Sequence, residues 1–393
     1  MCIRDRGNNV LAGGVGSDIL LSGLGRDVVA GDQAQFLWDN AVLVSAKTLP
    51  WAAESGEAAD LLFTSIIEDS TLIAAGLQLG ERSLSAAAAA SALTLNSGYF
   101  VGVDRSSDNN IVLAGGGADE IISGSGVDWL VGDFGTFTWT PAGVISLLVS
   151  NDAATRDDQG KLVGGGDLID AGHGDNFIIG GAGADRILSG EGDDLLAGDH
   201  VLLDFTDAGV VVLLETTDTV NEDGGDDLIN AGSGDNLIAG GVGSDSIYAG
   251  LGTDYALGDV GQFIWTDEGV LTSAVTFDYD QSRAGGDDTL RLSETADSTI
   301  FVEPTVSGQT ESPQASRFAV ASGVDNNIAL TGHGNDTVVT GTGDDVVAGD
   351  FARFEWSIEG LLETVLSRDV GTVTAGGADS LHLGDGSNIA IGG

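Results

Sequence analysis

The chain has few basic residues, cysteines and prolines, and each shortage excludes a class of protein. Its 393 residues include 14 lysines and arginines against 61 aspartates and glutamates, a formal net charge of −47. So acidic a chain repels nucleic acid and anionic membranes, and we expect neither as a partner. The single cysteine, Cys2, excludes a disulfide framework and a cysteine-based metal site. Only 4 prolines accompany 62 glycines, which does not fit collagen or a proline-rich linker.

Long apolar runs and the usual catalytic motifs are also missing from the sequence. No run reaches the roughly 18 apolar residues that cross a bilayer, so we expect no membrane insertion. The chain contains no G-x-S-x-G elbow, H-E-x-x-H zinc helix, P-loop or dinucleotide fingerprint, and its N-terminus does not have the usual signal-peptide pattern. The abundant carboxylates follow a repeat rather than forming a catalytic pair. We therefore expect that the chain is not an enzyme.

The apolar content argues against the disorder that such acidity would otherwise suggest. Apolar residues make up 42% of the chain, and the mean hydropathy is +0.15. Both properties fit one folded protein if cations neutralise the carboxylates in the folded state. The composition therefore favours a globular, cation-binding chain.

A nine-residue pattern of glycine and aspartate runs through nearly the whole sequence. It is clearest over residues 180–188, GGAGADRIL, and Asp or Asn recurs at a spacing of nine from Asp167 to Asp194 and from Asp227 to Asp254. Glycines at the first, second and fourth positions are expected to adopt positive φ and turn carbonyl groups inward. The aspartate at the sixth position ends the turn. The apolar residue at the eighth position enters a short strand and packs inside.

This pattern, G-G-x-G-x-D-x-U-x with a large apolar residue at U, resembles the RTX family of haemolysin-type calcium-binding repeats. The resemblance implies an all-β fold, a right-handed parallel β-roll or β-solenoid of nonapeptides, here interrupted by regular β-hairpins. It also implies several bound Ca²⁺ ions, because turn carboxylates and backbone carbonyls supply the oxygen ligands that calcium prefers. The metal ligands that it implies are Asp18, Asp27, Asp119, Asp128, Asp167, Asn176, Asp185, Asp194, Asp227, Asn236, Asp245, Asp254, Asp336 and Asp345.

In the family's roll two nonapeptides form one coil, so residues 18 apart stack on one edge and share an ion. The resulting pairs are Asp167–Asp185, Asn176–Asp194, Asp227–Asp245, Asn236–Asp254, Asn9–Asp27, Asn110–Asp128 and Asn327–Asp345. Asparagine keeps an oxygen ligand but loses a charge, so we expect fewer and weaker sites than in an unbroken roll. The spacing leaves two questions open: whether the stack continues across the hairpins, and whether a calcium-free solenoid uses the aspartates only to cap its turns. The net charge favours calcium.

A longer unit encloses the nonapeptides and repeats five times. Each unit has an Asn-Asp-Asp series, a Gly-Asp pair and an alternating apolar segment with a turn, which predicts a β-hairpin. Residues 1–6 match a translated sequencing adapter and are expected to be an artefact, and the chain is expected to be a fragment of a larger protein. The predicted units are 7–106 (repeat 1, with a long connection), 107–173 (repeat 2), 174–233 (repeat 3), 234–323 (repeat 4, with a long connection), 324–385 (repeat 5) and 386–393 (the start of a sixth).

Two features of the unit have alternative interpretations. The Gly-Asp aspartates either complete the last calcium site of a series or form Asx-turns that lead the chain into the hairpin, and the turn is favoured. The hairpin aromatics either stack on carbohydrate or pack against a neighbouring sheet, and packing is favoured. The Gly-Asp aspartates are Asp32, Asp133, Asp199, Asp259 and Asp350, and the aromatic segments are Phe36/Trp38, Phe137/Trp139, Leu203/Phe205, Phe263/Trp265 and Phe354/Trp356.

The resemblance implies an extracellular protein or one at the cell surface, secreted by a type I system. The regular hairpins favour a structural or adhesive protein, whose cell-surface or carbohydrate ligand stays open. The alternative is the calcium-dependent secretion and folding region of a larger toxin or hydrolase whose catalytic domain lies outside this chain.

Overall fold

A computed structural model describes most of the repeat, and every regular element in its described residues is a β-strand. Within that part of the chain no helix is long and apolar enough to cross a membrane. The two long connections fall mostly outside it. The described residues are 2–5, 8–14, 19–23, 25–39, 42–49, 61–63, 109–150, 164–217, 224–277, 285–292, 294–295, 319–320, 325–367 and 376–392.

Two parallel sheets of eleven strands each form the β-roll. The chain alternates between them, one short strand at a time. The first roll sheet contains β1 Cys2–Asp5, β3 Ile19–Gly23, β7 Leu61–Phe63, β9 Glu120–Ile122, β13 Leu168–Gly172, β15 Arg186–Ser189, β19 Leu228–Gly232, β21 Ser246–Ala249, β25 Thr289–Arg291, β29 Thr337–Gly341 and β33 Ser380–Leu383. The second roll sheet contains β2 Val10–Ala12, β4 Val28–Ala30, β8 Ile111–Leu113, β10 Trp129–Val131, β14 Phe177–Ile179, β16 Leu195–Ala197, β20 Leu237–Ala239, β22 Tyr255–Leu257, β28 Ile328–Leu330, β30 Val346–Ala348 and β34 Ile389–Ile391.

Five antiparallel hairpins join edge to edge into a third sheet of ten strands, the hairpin sheet. Each hairpin leaves the roll after a strand of the second roll sheet and returns to the first. Its strands are β5 Ala34–Asp39, β6 Val42–Thr48, β11 Gly135–Trp139, β12 Ile145–Ser150, β17 Val201–Phe205, β18 Val211–Thr216, β23 Gly261–Trp265, β24 Leu271–Thr276, β31 Ala352–Trp356 and β32 Leu362–Ser367. A separate pair is formed by β26 Glu294–Thr295 and β27 Ala319–Val320.

The roll is continuous across the hairpins, which answers the question left open by the spacing. In the first roll sheet Ile121 pairs with Ile169, Ile169 with Ile187, and Ile187 with Ile229, although a hairpin separates the first pair and the last pair in sequence. These eighth-position side chains are completely buried between the two roll sheets. The all-β parallel roll with regular hairpins is therefore confirmed.

The second roll sheet is apolar on both faces because the hairpin sheet covers its outer face. Ile179 on that face is completely buried, and Phe177 stacks on Trp129 with ring centroids 3.9 Å apart. From the opposite side, Phe137 and Phe263 of the hairpin sheet are completely buried in the same core. The aromatic segments thus pack against the neighbouring sheet, as favoured, except for half-exposed Trp38 at one end of the stack.

Four of the hairpins share one turn geometry. In the first of these, the Thr140 N–H donates to Val144 O at 2.7 Å, and Gly143 takes a φ of +80°, which favours glycine. The turns at Gly209, Gly269 and Gly360 repeat both features. The predicted hairpins are confirmed together with the glycine that closes each turn.

Candidate metal centre

The turns of the roll lie in two columns, one along each edge. We call the Asp or Asn at the sixth position of a nonapeptide the closing residue. The first turn column leads into the first roll sheet, and its closing residues are Asp119, Asp167, Asp185, Asp227, Asp245, Asp288, Asp336 and Asp379. The second turn column leads into the second roll sheet, and its closing residues are Asn9, Asp27, Asn110, Asp128, Asn176, Asp194, Asn236, Asp254, Asn327, Asp345 and Asn388. Of the fourteen predicted ligands, only Asp18 lies outside the described residues.

Hydrogen bonds join the closing residues of each column into a ladder. The Asp167 N–H donates to Asp185 Oδ1 at 2.6 Å, and the Asp185 N–H donates to Asp227 Oδ1, 42 residues away, at 2.7 Å. Asn176 donates in the same way to Asp194 in the second turn column, at 2.8 Å. All seven predicted pairs are neighbours of this kind. The ladder explains why asparagine can replace aspartate in the second turn column, since both carry the required Oδ1 acceptor.

The second carboxylate oxygen of many closing aspartates is buried without a hydrogen-bond partner. In the first turn column this holds for Oδ2 of Asp167, Asp185, Asp245, Asp288 and Asp336. Asp167 and Asp185 are 2% and 1% exposed. Buried polar atoms without partners are rare in folded proteins and cost about 1–3 kcal/mol each, more when they carry charge. Oδ2 of Asp194 and Asp254 in the second turn column is likewise buried without a partner, and the unbroken series of aspartates in the first turn column leaves the denser row of unsatisfied charge.

A glycine at the first position of the turn makes room for this oxygen. A Cβ built on Gly180 would collide with Asp185 Oδ2 and lie 2.5 Å from Gly198 O of the next coil. A Cβ on Gly132 would likewise collide with Asp167 Oδ2 and lie 2.6 Å from Gly180 O. We call this space, bounded by a carboxylate oxygen and a backbone carbonyl, the glycine cradle.

Glycine is therefore required at the first position because a side chain would collide with its neighbours there, and not because of the backbone conformation. The second and fourth glycines, Gly181 and Gly183, have φ of +122° and +112°, as predicted. Gly180 lies outside the left-handed region, so the expectation of positive φ was wrong at the first position. A side chain is excluded there because the closing carboxylate occupies its place.

Burial raises the pKa of the closing carboxyl groups. It raises the pKa of Asp185 well above its usual value, and the nearby Asp167 carboxylate raises it further. Burial also raises the pKa of Asp245 to about 7 and that of Asp254 to about 8. At neutral pH these groups thus need either a proton or a cation, because removing a lone carboxylate from water is costly.

The chemistry of the cradle fits calcium. Calcium takes six to eight hard oxygen ligands, commonly carboxylates and backbone carbonyls, and the cradle presents one of each. Within the described residues no group of three or more acidic, histidine or cysteine side chains is arranged to hold a metal ion by itself. A cation in the roll therefore takes part of its coordination from backbone carbonyls, as the glycine-rich turn permits.

The Gly-Asp aspartates tie together the two ends of a turn that a hairpin interrupts. Asp199 Oδ1 accepts the Gly225 N–H at 3.2 Å, beyond the hairpin, and its Oδ2 accepts the Val242 N–H of the next coil at 2.7 Å. Asp259 accepts from Gly286 and His333 in the same manner. These hydrogen bonds support the role of the Gly-Asp aspartates in the turn that leads into the hairpin, which the sequence favoured over a calcium ligand.

Each of the last four hairpins is in fact an insertion between the second and third positions of a nonapeptide, which the sequence analysis missed. Gly198 and Asp199 supply the first two positions, and residues 224–227 (Gly-Gly-Asp-Asp) supply the third to sixth. The signal was present in the sequence, since Gly-Asp before the hairpin and Gly-Gly after it complete one pattern.

A model of a known protein family matches the nonapeptide repeats of this chain. The family model for the RTX calcium-binding nonapeptide repeat (4 copies) matches five segments of the chain, residues 5–33, 105–136, 163–196, 223–256 and 322–351. The last four of these segments contain closing residues of both turn columns. No curated protein matches the chain.

Proposed function

The chain is an RTX repeat protein, and from that identity we propose that it is a calcium-dependent structural module of an extracellular protein. The observation that carries the proposal is the row of buried closing carboxylates whose second oxygens have no partner. Calcium supplies the missing positive charge when bound. Closing aspartates would hold it with Oδ2, while Oδ1 keeps the coils in register. The proposal assigns no catalytic role to the chain.

Folding is coupled to calcium in this account. Coils that stack without cations bring like charges together in a medium that solvates them poorly, so the folded state is unfavourable in chelator at neutral pH. Because each cradle combines groups from two coils, the ligands converge only when the coils stack. Ion binding then adds directly to the free energy of folding.

A calcium titration followed by far-ultraviolet circular dichroism tests this proposal. The chelated chain is expected to give a largely unfolded spectrum at neutral pH and to gain β-structure with calcium on the order of millimolar. Magnesium at the same concentration is the control, and it is expected to do much less because it holds its water more tightly. A β-rich spectrum that is identical in chelator and in calcium contradicts the proposal.

For the parent protein, we propose a secreted or cell-surface structural or adhesive role. The hairpin sheet supports it: ten strands run beside the roll, which gives a stiff three-layered body beyond what calcium binding requires. A secretion and folding region of a toxin or hydrolase is the second candidate, supported by the family's calcium-dependent repeats alone. Sequencing the complete reading frame separates the two, because a catalytic domain in the same frame contradicts the structural role.

A further inference from the structure

We propose that the cations bind along one edge of the roll only, in the glycine cradles of the first turn column, and that asparagine and the side chains at the first position of each turn exclude them from the second turn column. This inference deepens the proposed function and rests on it. It concerns which of the fourteen predicted ligands carry calcium.

The first observation is the difference in charge between the columns. Every described closing residue of the first turn column is aspartate, whereas the second alternates asparagine with aspartate. In the second column the asparagine amide partly compensates the charge of the neighbouring carboxylate. Asn236 Nδ2 donates to Asp254 Oδ1 at 2.9 Å, and Asn110 Nδ2 donates to Asp128 Oδ1 at 2.9 Å. The first column contains no such donor among its closing side chains, so its charge is denser and less compensated.

The second observation is the residue at the first position of each turn. In the first turn column it is glycine at six turns, and a Cβ at each would collide with the closing carboxylate of the same turn. Those glycines are Gly132, Gly180, Gly198, Gly240, Gly258 and Gly349. In the second turn column the same position carries a side chain, so the space of the cradle is filled. The residues there include Ser22, Ser123, Ala171, Ser189, Ala231, Ala249 and Thr340.

At one turn a hydroxyl group at that position takes the place of a cation. Thr340 Oγ1 donates to Asp345 Oδ2 at 2.8 Å, which satisfies the oxygen that faces an open cradle in the other column. The cradle oxygens of Asp167, Asp185, Asp245 and Asp288 have no such donor and are each at most 2% exposed. Asp194 Oδ2 and Asp254 Oδ2 of the second turn column are also buried without a partner, so the columns differ in charge density and in the space beside this oxygen. Beside Asp167, Asp185 and Asp245 that space is an open cradle which a backbone carbonyl also borders, and we assign the cations there.

Two turns of the first turn column have no glycine at the first position, and they limit the number of cradles. Ala114 and Thr331 occupy the first position of the turns that end at Asp119 and Asp336. Thr331 Oγ1 donates to Gly349 O at 2.6 Å, so it engages the next coil's carbonyl that would otherwise face the cradle. We assign no cation to these two turns.

A matched pair of variants tests the assignment. Asp185→Asn and Asp194→Asn each remove one buried carboxylate from successive turns, and each keeps the Oδ1 that the ladder needs. The readout is the number of calcium ions bound per chain, measured by equilibrium dialysis of the whole chain. Asp185→Asn is expected to bind at least one ion fewer than the wild type, and Asp194→Asn is expected to bind the same number.

An equal loss in both variants, or a loss only in Asp194→Asn, overturns the assignment while leaving calcium binding intact. If the wild-type chain itself binds no calcium, the proposed function fails instead, so the two failures are distinguishable.

A gain of binding gives a test that does not depend on a damaged site. Thr331→Gly opens a cradle in the first turn column and is expected to add one calcium ion per chain. Thr340→Gly makes the same change in the second turn column and is expected to add none. An unchanged count in Thr331→Gly, or an added ion in Thr340→Gly, contradicts the inference.

Discussion

At the scale of the residue, the closing aspartate has two separate roles. Its Oδ1 accepts a backbone N–H from the preceding coil, a role that asparagine fills equally well. Its Oδ2 carries the charge that the roll must neutralise, a role that asparagine cannot fill. The sequence predicted these residues correctly as the repeating polar group of the turn. It could not separate the two roles, because they depend on contacts between coils up to 83 residues apart, as for Asp27 and Asn110.

The glycine cradle predicts a position-specific effect of a small side chain. Gly180→Ala is expected to lower the free energy of unfolding in calcium by about 1–3 kcal/mol, because its methyl group would overlap Asp185 Oδ2. Ser189→Ala at the same position of the second turn column is the control, and it is expected to change stability by less. Denaturant unfolding with excess calcium measures both. Equal effects would falsify the contact argument for the first glycine.

The raised pKa values predict how the chelated chain responds to acid. Burial raises the pKa of Asp245 to about 7 and that of Asp254 to about 8, with the neighbouring Asp235 and Asp325 adding to the latter. The folded state therefore binds more protons than the unfolded state between about pH 4 and pH 8, so its stability rises as the pH falls through that window. In chelator, circular dichroism is expected to show more β-structure at pH 5 than at pH 7.5.

Calcium at pH 7.5 serves as the reference spectrum for that experiment, since calcium and protons both neutralise first-column carboxylates such as that of Asp245. A chelated chain that is no more structured at pH 5 than at pH 7.5 contradicts the account of buried charge.

At the scale of the element, the hairpins were predictable as local structures but their assembly was not. Alternating apolar residues and a turn glycine are local signals, and they gave the strand pairs correctly. The edge-to-edge union of the hairpins depends on residues in neighbouring repeats. The Gly261 N–H donates to Thr216 Oγ1 at 2.8 Å, and the Ala352 N–H donates to Thr276 Oγ1 at 2.9 Å. A lone hydroxyl at the end of a strand gives no signal of such a partner.

These hydroxyls predict where the hairpin sheet is most sensitive. Thr216 is 2% exposed, and replacing it with valine leaves the buried Gly261 N–H without its acceptor. Thr216→Val is expected to cost about 1–3 kcal/mol. Thr272→Val is the control, because that half-buried hydroxyl bonds Ile264 O within its own hairpin. Denaturant midpoints in calcium compare the two. A shift for Thr272→Val as large as that for Thr216→Val contradicts the proposed role in joining hairpins.

At the scale of the whole molecule, the chain is a stack in which each coil is stabilised mainly by its neighbours. The resemblance of the nine-residue pattern to the RTX repeats was enough to predict the roll and the pairing of residues 18 apart. It could not reveal that the stack passes through every hairpin, because an inserted segment resets the spacing in sequence but not in space. Asp185 and Asp227 are neighbours across such an insertion. Once the nonapeptide that a hairpin interrupts is recognised, the order in which the coils stack along the roll can be read from the sequence.

The central claim is that cations hold the first turn column together, and hydrogen exchange at its backbone amides tests it most directly. The N–H groups of Asp167, Asp185 and Asp245 donate along the ladder, so their exchange reports whether the coils are stacked. At neutral pH, peptides covering these residues are expected to exchange rapidly in chelator and to become protected together as calcium is added. Protection of the same amides in chelator, unchanged by calcium, would contradict the account.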